Sequence, residues 1–269
     1  SFTIYGNVAT FRKKDAVLQV LPTVFQKDIQ YRPNGASEFK LSRAMDSNVF
    51  YVNSKNTPAN YVNEKPFKVS DELLVALLAD TLQQPVSLVH YTKPTQTQTL
   101  YSVHSRELLR EMMLPSDNFL AEQLNMLAAK ARYKHFKTQK LRDDMRLEYT
   151  EKLRDPIELR DGSGLSSYNK ITPHSMVQLL LLIQEKVANE QDLRYLFPTG
   201  GVDGTVKKAY SLDQGVPFVW AKTGTIFGVH CQSGYLVTRS GKRLVFSFLN
   251  NNFLGEAGPS RKEMVRIMS

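Results

Sequence analysis

Cysteine is almost absent from this 269-residue chain: Cys231 stands alone. An intramolecular disulfide framework and a cysteine-based zinc site are therefore excluded. Long hydrophobic runs are also missing. No stretch approaches the ~18 to 20 apolar residues that span a bilayer, and Leu179 to Ile183 sits inside a short amphipathic pattern. Residues 1 to 20 are charged and strand-like rather than a basic start followed by an apolar block, so no signal peptide is expected within them. The five histidines, His90, His104, His135, His174 and His230, have neither a metal-ligand spacing nor the local pattern of a Ser-His-Asp triad. His174 reads as an ordinary first-turn residue and His230 as structural. Internal repeats and low-complexity segments are lacking too.

What is present is a globular composition, 42% hydrophobic and 23% charged, long enough to bury a substantial core. The formal net charge of +9 favours polyanionic neighbours: nucleic acid, anionic lipid or cell-wall polymer. Much of the visible clustering lies at Lys130, Arg132, Lys134, Lys137, Lys140 and Arg142, which reads as a solvated helix face. No zinc-finger spacing, aromatic RNA-binding signature or heptad array accompanies it, so no nucleic-acid partner is expected.

Residues 2 to 12 and 37 to 52 are rich in aromatic and branched side chains with partial alternation. They read as strands, the second pair turning near Asp46-Ser47-Asn48. A helical pattern begins at Ser70, with Leu73, Leu74, Leu77 and Leu78 on one face, and Val86 to Tyr91 reads as a short strand. Ser105 is a candidate cap for a helix through Met113 that Pro115 ends. The next helix has Leu120, Leu124, Leu127, Ala128 and Ala131 as its expected apolar stripe. Thr172-Pro173 is a strong helix start, followed by Met176, Leu179, Leu180, Ile183 and Val187 at helical spacing. Strands then return: Phe218 to Ala221 leads into Lys222-Thr223-Gly224, and His230 to Arg239 pairs with Lys242 to Asn250 across Ser240-Gly241. A charged helix follows from about Pro259. Helices followed by an antiparallel hairpin and a last helix imply an α+β fold with helices packed on a sheet.

Three short segments carry the chemistry. Ser116-Asp117-Asn118 lies between two helices, where a short loop can project Ser116 and Asn118 into a cleft. A serine hydroxyl there can relay a proton to a leaving amine, and an asparagine amide can orient a substrate amide and a neighbouring lysine. Asp161-Gly162-Ser163-Gly164-Leu165-Ser166 is a glycine-rich loop before the Thr172 helix. Lys222-Thr223-Gly224-Thr225 offers a fixed positive charge for a carboxylate and a glycine that leaves room for a substrate backbone along the strand. The N–H of Thr225 is then a candidate oxyanion donor, a contribution typically worth ~2.7–4 kcal/mol, and the Thr223 and Thr225 hydroxyls can reach the carboxylate. Each segment has a plainer reading alone: an N-cap, a turn and a strand end. Their conjunction in this order is far rarer, and Ser-Asp-Asn with Lys-Thr-Gly recurs in β-lactamases and penicillin-binding proteins.

The segments SDNFLAEQL (116–124), DGSGLSSYNKITP (161–173), FPTGGVDGTVKK (197–208) and AKTGTIFGV (221–229) resemble the class C low-molecular-mass penicillin-binding proteins, the D-Ala-D-Ala carboxypeptidase/endopeptidases. The resemblance covers roughly residues 95 to 255, and residues 1 to 60 loosely. It implies a penicillin-binding/β-lactamase-like transpeptidase core (residues 61–269) preceded by the end of a β-rich inserted region (residues 1–60). It also implies serine acyl-enzyme chemistry without metal or organic cofactor, on peptidoglycan stem peptides ending in D-Ala-D-Ala. β-Lactams would be inhibitors, and the setting the bacterial cell envelope, in the periplasm. Ser116, Asn118 and Lys222 would be catalytic. Thr223, Gly224 and Thr225 would bind substrate, with Asp161, Gly162, Ser163 and Gly164 shaping the pocket floor.

One element departs from that family. Its members acylate the serine of an upstream Ser-x-x-Lys at the start of a buried helix, and the nearby match before Ser116 is Ser37-Glu38-Phe39-Lys40, in strand-like surroundings. The nucleophile is therefore expected on sequence outside this chain. A non-catalytic peptidoglycan-binding module using the same pocket is the alternative, and a basic nucleic-acid-binding domain a distant third.

Overall fold

The computed structural model describes residues 3–268 apart from 16, 34, 36, 37, 93, 94, 97, 99, 100 and 188; Ser37 thus lies outside the described residues. The chain divides into two compact units, Ser1–Thr99 and Leu100–Ser269.

The first unit contains β1 (Val8–Lys14), β2 (Val17–Leu21), β3 (Ile29–Tyr31), β4 (Leu41–Arg43), β5 (Phe50–Val52), β6 (Val62–Pro66) and the helix α1 (Asp71–Leu82). Two three-stranded sheets result, ordered β2-β1-β6 and β3-β5-β4. Alternation aims Ala9 and Phe11, Leu18 and Val20, and Phe50 and Val52 into one core, where the Phe11 and Phe50 rings lie 4.8 Å apart. The β4–β5 pair is antiparallel, with Leu41 opposite Val52, as the turn near Asp46 to Asn48 implies. Helix α1 starts where its cap requires: Ser70 Oγ accepts the Leu73 N–H at 3.2 Å.

The first unit extends past residue 60 to Thr99. The reason is pairing and burial: β6 is hydrogen-bonded to β1, and Phe67 and Leu77 complete the core of the first unit. Residues 86 to 91 form no strand. They pair with no described strand, and Leu88, Val89 and Tyr91 are exposed.

The second unit comprises α2 (Ser105–Met113), α3 (Asn118–Tyr133), α4 (Thr138–Thr150), α5 (Pro173–Lys186), α6 (Glu190–Leu196), β7 (Val219–Ile226), β8 (Val229–Val237), β9 (Arg243–Asn251) and α7 (Gly258–Met268). Its antiparallel sheet runs β7-β8-β9, leaving β7 outermost. The register is regular, with Lys222 opposite Ser233, Gly224 opposite Cys231 and Thr225 opposite His230. The two faces of this sheet bury different cores. Trp220 and Tyr235 pack with Leu180, Met176 and Ile183 of α5. Val219 and Ala221, one residue out of phase with Trp220, pack with Val206, Tyr210 and Val265 and Met268 of α7. The sheet is thus the middle layer between α5 and α7.

Two local expectations are corrected. Ser105 is the first residue of α2 and not its cap; extended His104 takes that position without a side-chain bond. On α3 the expected stripe is broken, because Leu127, Ala128 and Ala131 are exposed while Ala129 is buried. The helix turns its polar face inward instead, since Ala121, Glu122 and Asn125 meet residues 162 and 163. The basic cluster lies at exposed or half-buried positions, with Arg132 and Lys140 paired to Asp144 and Glu148. Among the described residues no helix is long and apolar enough to cross a membrane, and none form a His/Cys/Asp/Glu group able to hold a metal.

Candidate active site

Helix α2 ends in a way that aims Ser116 at the sheet. The Asp117 N–H bonds back to the Met112 carbonyl at 2.8 Å, and Ser116 between them has φ +62°. This is the six-to-one closure of a Schellman motif, with serine in the left-handed position that usually belongs to glycine. Asp117 at once caps the next helix, its carboxylate accepting the Leu120 N–H at 2.9 Å. Asn118 is therefore the first residue of α3; its side chain is exposed and has no hydrogen-bond partner among the described residues. Backbone held in a sparsely populated conformation often marks a functional position.

Lys222 reaches this turn from β7. Its Nζ donates to Ser116 Oγ at 2.5 Å and to the Thr223 carbonyl at 2.6 Å. Among the described residues no carboxylate lies within salt-bridge distance of it, so its charge is uncompensated. Burial pushes the Lys222 ammonium below the usual lysine range, because removing an ammonium from water disfavours its charged form. Ser116 and Lys222, 106 residues apart, thus meet as expected.

The two threonines leave β7 from its other face. Alternation puts Thr223 and Thr225 opposite in direction to Lys222 and Gly224, and their partners differ accordingly. Thr223 Oγ1 donates to Thr205 Oγ1 at 2.8 Å, and Thr225 Oγ1 is bonded to His230 Nδ1 at 2.7 Å. A Cβ added at Gly224 would meet nothing within 4 Å, so this stretch of the outer strand is open. A cavity of about 480 Å³ is lined by Phe218, Leu236 and Ile267 among others, and not by Ser116, Lys222 or Thr225. The candidate site is an open groove along a strand edge.

The loop Asp161 to Gly164 is fastened from within and from outside. Asp161 accepts the Gly164 N–H at 2.8 Å, the Ser166 N–H at 2.6 Å and the Asn169 amide at 2.9 Å. Glu122 Oε1 on α3 accepts the Gly162 and Ser163 N–H groups at 3.0 and 2.9 Å. A Cβ on Gly162 would sit 2.7 Å from Asn125 Cβ; glycine is what permits this approach. Asn118, Ala121, Glu122 and Asn125 follow helical spacing, so the loop runs along the face of α3 that begins at Asn118. The carboxylate of Asp161 is committed to holding the loop.

Sequence reasoning missed the clamps. Asp203 accepts the Thr199 N–H at 2.7 Å and pairs with Arg110 of α2 at 2.7 Å. Gly204, at φ +57°, passes so near that a Cβ would lie 2.7 Å from Pro198 Cβ and 3.0 Å from the Leu114 carbonyl oxygen. These contacts hold the end of α2, and so Ser116, against the segment that also supplies Thr205. The segment 197–208 was visible as a motif, but its glycines and single aspartate do not identify their partners. Another Ser-x-x-Lys spacing, Ser167 to Lys170, is in a loop, and Lys170 Nζ donates to the Ser167 carbonyl rather than its hydroxyl.

Known proteins resemble this chain in sequence and in fold. Residues 42–269 match the D-Ala-D-Ala carboxypeptidase 3 (S13) family. D-alanyl-D-alanine carboxypeptidase DacB of Haemophilus influenzae is 33% identical over 176 residues, 61% of this chain and 36% of that protein. Carboxypeptidase Rv3627c of Mycobacterium tuberculosis is 30% identical over 190 residues, 65% of this chain and 40% of the relative. The chain thus matches well under half the length of these relatives. In fold it is similar to the crystal structure of penicillin-binding protein 4 from Haemophilus influenzae in complex with a β-lactam, with a TM-score of 0.70 at 21% identity, covering 97% of this chain and 66% of that one. An α+β fold of the penicillin-binding type, with Ser-Asp-Asn and Lys-Thr-Gly brought into contact and most of the chain matched, places this protein in the D-Ala-D-Ala carboxypeptidase 3 (S13) family.

Proposed function

We propose that this chain carries the proton-relay and carboxylate-binding half of a serine-type D-Ala-D-Ala carboxypeptidase site, acting in the bacterial periplasm on peptidoglycan stem peptides and inhibited by β-lactams. The observation that carries the reading is the Lys222 Nζ to Ser116 Oγ contact, made at an open strand edge by a cation without a carboxylate partner among the described residues. Ser116 passes a proton to the departing D-Ala amine, and Lys222 holds the electrostatic field around that hydroxyl. Asn118, exposed at the head of α3, orients the substrate amide. Gly224 admits the peptide along β7, where the Thr225 N–H and the Thr223 and Thr225 hydroxyls meet the acyl oxygen and terminal carboxylate. Asp161, Gly162, Ser163 and Gly164 form the adjoining wall. Residues 1–60 are the end of a β-rich inserted region.

The nucleophilic Ser-x-x-Lys lies outside this chain. Helix geometry brings a serine and a lysine three residues on to the same face, and of the two such spacings noted here Lys40 follows a non-helical stretch and Lys170 lies in a loop. Labelled penicillin incubated with the purified chain, followed by intact-mass analysis, should give no covalent adduct. A D-Ala-D-Ala peptide should bind saturably with weak salt dependence, unlike a phosphate-driven ligand, and Lys222→Ala should weaken that binding. A stoichiometric adduct on Ser37 would overturn the assignment of the nucleophile. Peptide binding indifferent to Lys222→Ala would remove the lysine from the site. Should turnover remain absent when the missing segment is supplied, the chain is a peptidoglycan-binding module.

A further inference from the structure

His230 is an imidazole tied to the candidate site through Thr225, and nothing in the proposed chemistry uses it. It stands opposite Thr225 in the β7–β8 register, is fully buried, and bonds Thr225 Oγ1 through Nδ1 at 2.7 Å. Its other nitrogen, Nε2, is buried without a hydrogen-bond partner among the described residues. Burial and the charge of Arg261 on α7 push the ring below the usual histidine range, which favours the neutral form with its single proton. Two tautomers then compete. With the proton on Nε2, an N–H is stranded in the interior and Nδ1 accepts the threonine proton. With the proton on Nδ1, only a lone pair is stranded, and Nδ1–H donates to Thr225. Orphaned buried N–H groups are the rarer defect, so the second arrangement is favoured.

That choice fixes which way the Thr225 hydroxyl points. A hydroxyl has one proton and two lone pairs. Once Oγ1 accepts from His230, its proton is free for an acceptor outside, and Thr225 is exposed on the open strand. We propose that His230 is a positioning residue that donates Nδ1–H to Thr225 and thereby turns the threonine hydroxyl into an outward donor for the terminal carboxylate of a D-Ala-D-Ala peptide. The substrate half of this statement rests on the function proposed above; the tautomer does not.

Two measurements on the intact chain test it. Long-range proton–nitrogen NMR on histidine-labelled protein should find His230 as the Nδ1–H tautomer; the Nε2–H tautomer would overturn the proposal outright. The second compares binding of N-acyl-D-Ala-D-Ala with its C-terminal amide. His230→Phe, which keeps a buried ring but offers no donor, should weaken the acid about tenfold, the scale of one hydrogen bond to a charged group, and leave the amide unchanged. His230→Asn places an amide N–H near the former Nδ1 and should recover much of the loss. Thr225→Val should reproduce the Phe effect without adding to it in the double variant. Equal binding of the acid by wild type and His230→Phe, in folded protein, would refute the role of His230 alone. A wild-type chain that binds neither peptide would count against the reading of the whole site, and the carboxylate role of Thr225 would fall with it.

Discussion

Ser116 offers the sharpest separation of backbone from side chain. Its φ of +62° costs an L-residue roughly 1–2 kcal/mol relative to glycine, whereas glycine loses about 0.5–1 kcal/mol more through the flexibility of the unfolded chain. Ser116→Gly should therefore be more stable than Ser116→Ala by about 0.5–1 kcal/mol, the reverse of their order inside a helix. Both variants lose the hydroxyl that accepts from Lys222, at about 1–2 kcal/mol for a half-buried charge-assisted bond, so both should fall below wild type. For a unit of this size, 1 kcal/mol moves the midpoint by ~2–4 °C. Thermal and urea unfolding should thus rank wild type first, glycine second and alanine last, with glycine about 1–4 °C above alanine. If alanine equals or exceeds glycine, the left-handed turn between α2 and α3 is not the resting conformation, and the aim of Ser116 at Lys222 needs another origin.

Stability should also depend on Lys222 at alkaline pH. Its ammonium loses its proton more readily in the folded state, so between the folded and the ordinary lysine values the unfolded chain binds more protons, and stability rises with pH across that window. Lys222→Met should flatten the rise in urea titrations, and an unchanged profile would contradict the burial of the charge. Gly162→Ala should destabilise the second unit by about 1–3 kcal/mol, since its methyl would press on Asn125 Cβ and the Ala121 carbonyl. Hydrogen exchange at the Gly162 and Ser163 amides should accelerate with it, and unchanged protection would mean that the loop does not depend on the close approach to α3.

Much of the fold was legible because its signals are local. Ser70 and Thr172 cap helices through their own neighbours, Thr172-Pro173 starts α5, and the alternation of β7 to β9 needs only the period of a strand. The Ser-Asp-Asn and Lys-Thr-Gly segments were legible as motifs for the same reason. The stripe on α3 was misread, and the extent of the first unit was not legible, because neither is local. Val62 to Pro66 belongs to the first unit only through pairing with β1, and α3 turns Glu122 inward only because two loop amides 40 and 41 residues away need an acceptor.

Sequence alone determined the chemical inventory of this protein: a serine, an asparagine, a lysine and two threonines in two separated segments, on helices and strands whose caps and periods are written nearby. Tertiary structure decided which of them meet. It put Lys222 on the Ser116 face of β7 and the two threonines on the other, gave them Thr205 and His230 as partners, and used Asp203 with Gly204 to hold the α2 end in reach. Such contacts join residues up to 106 positions apart, and their geometry comes from strand alternation and layer packing, which no short stretch of sequence contains.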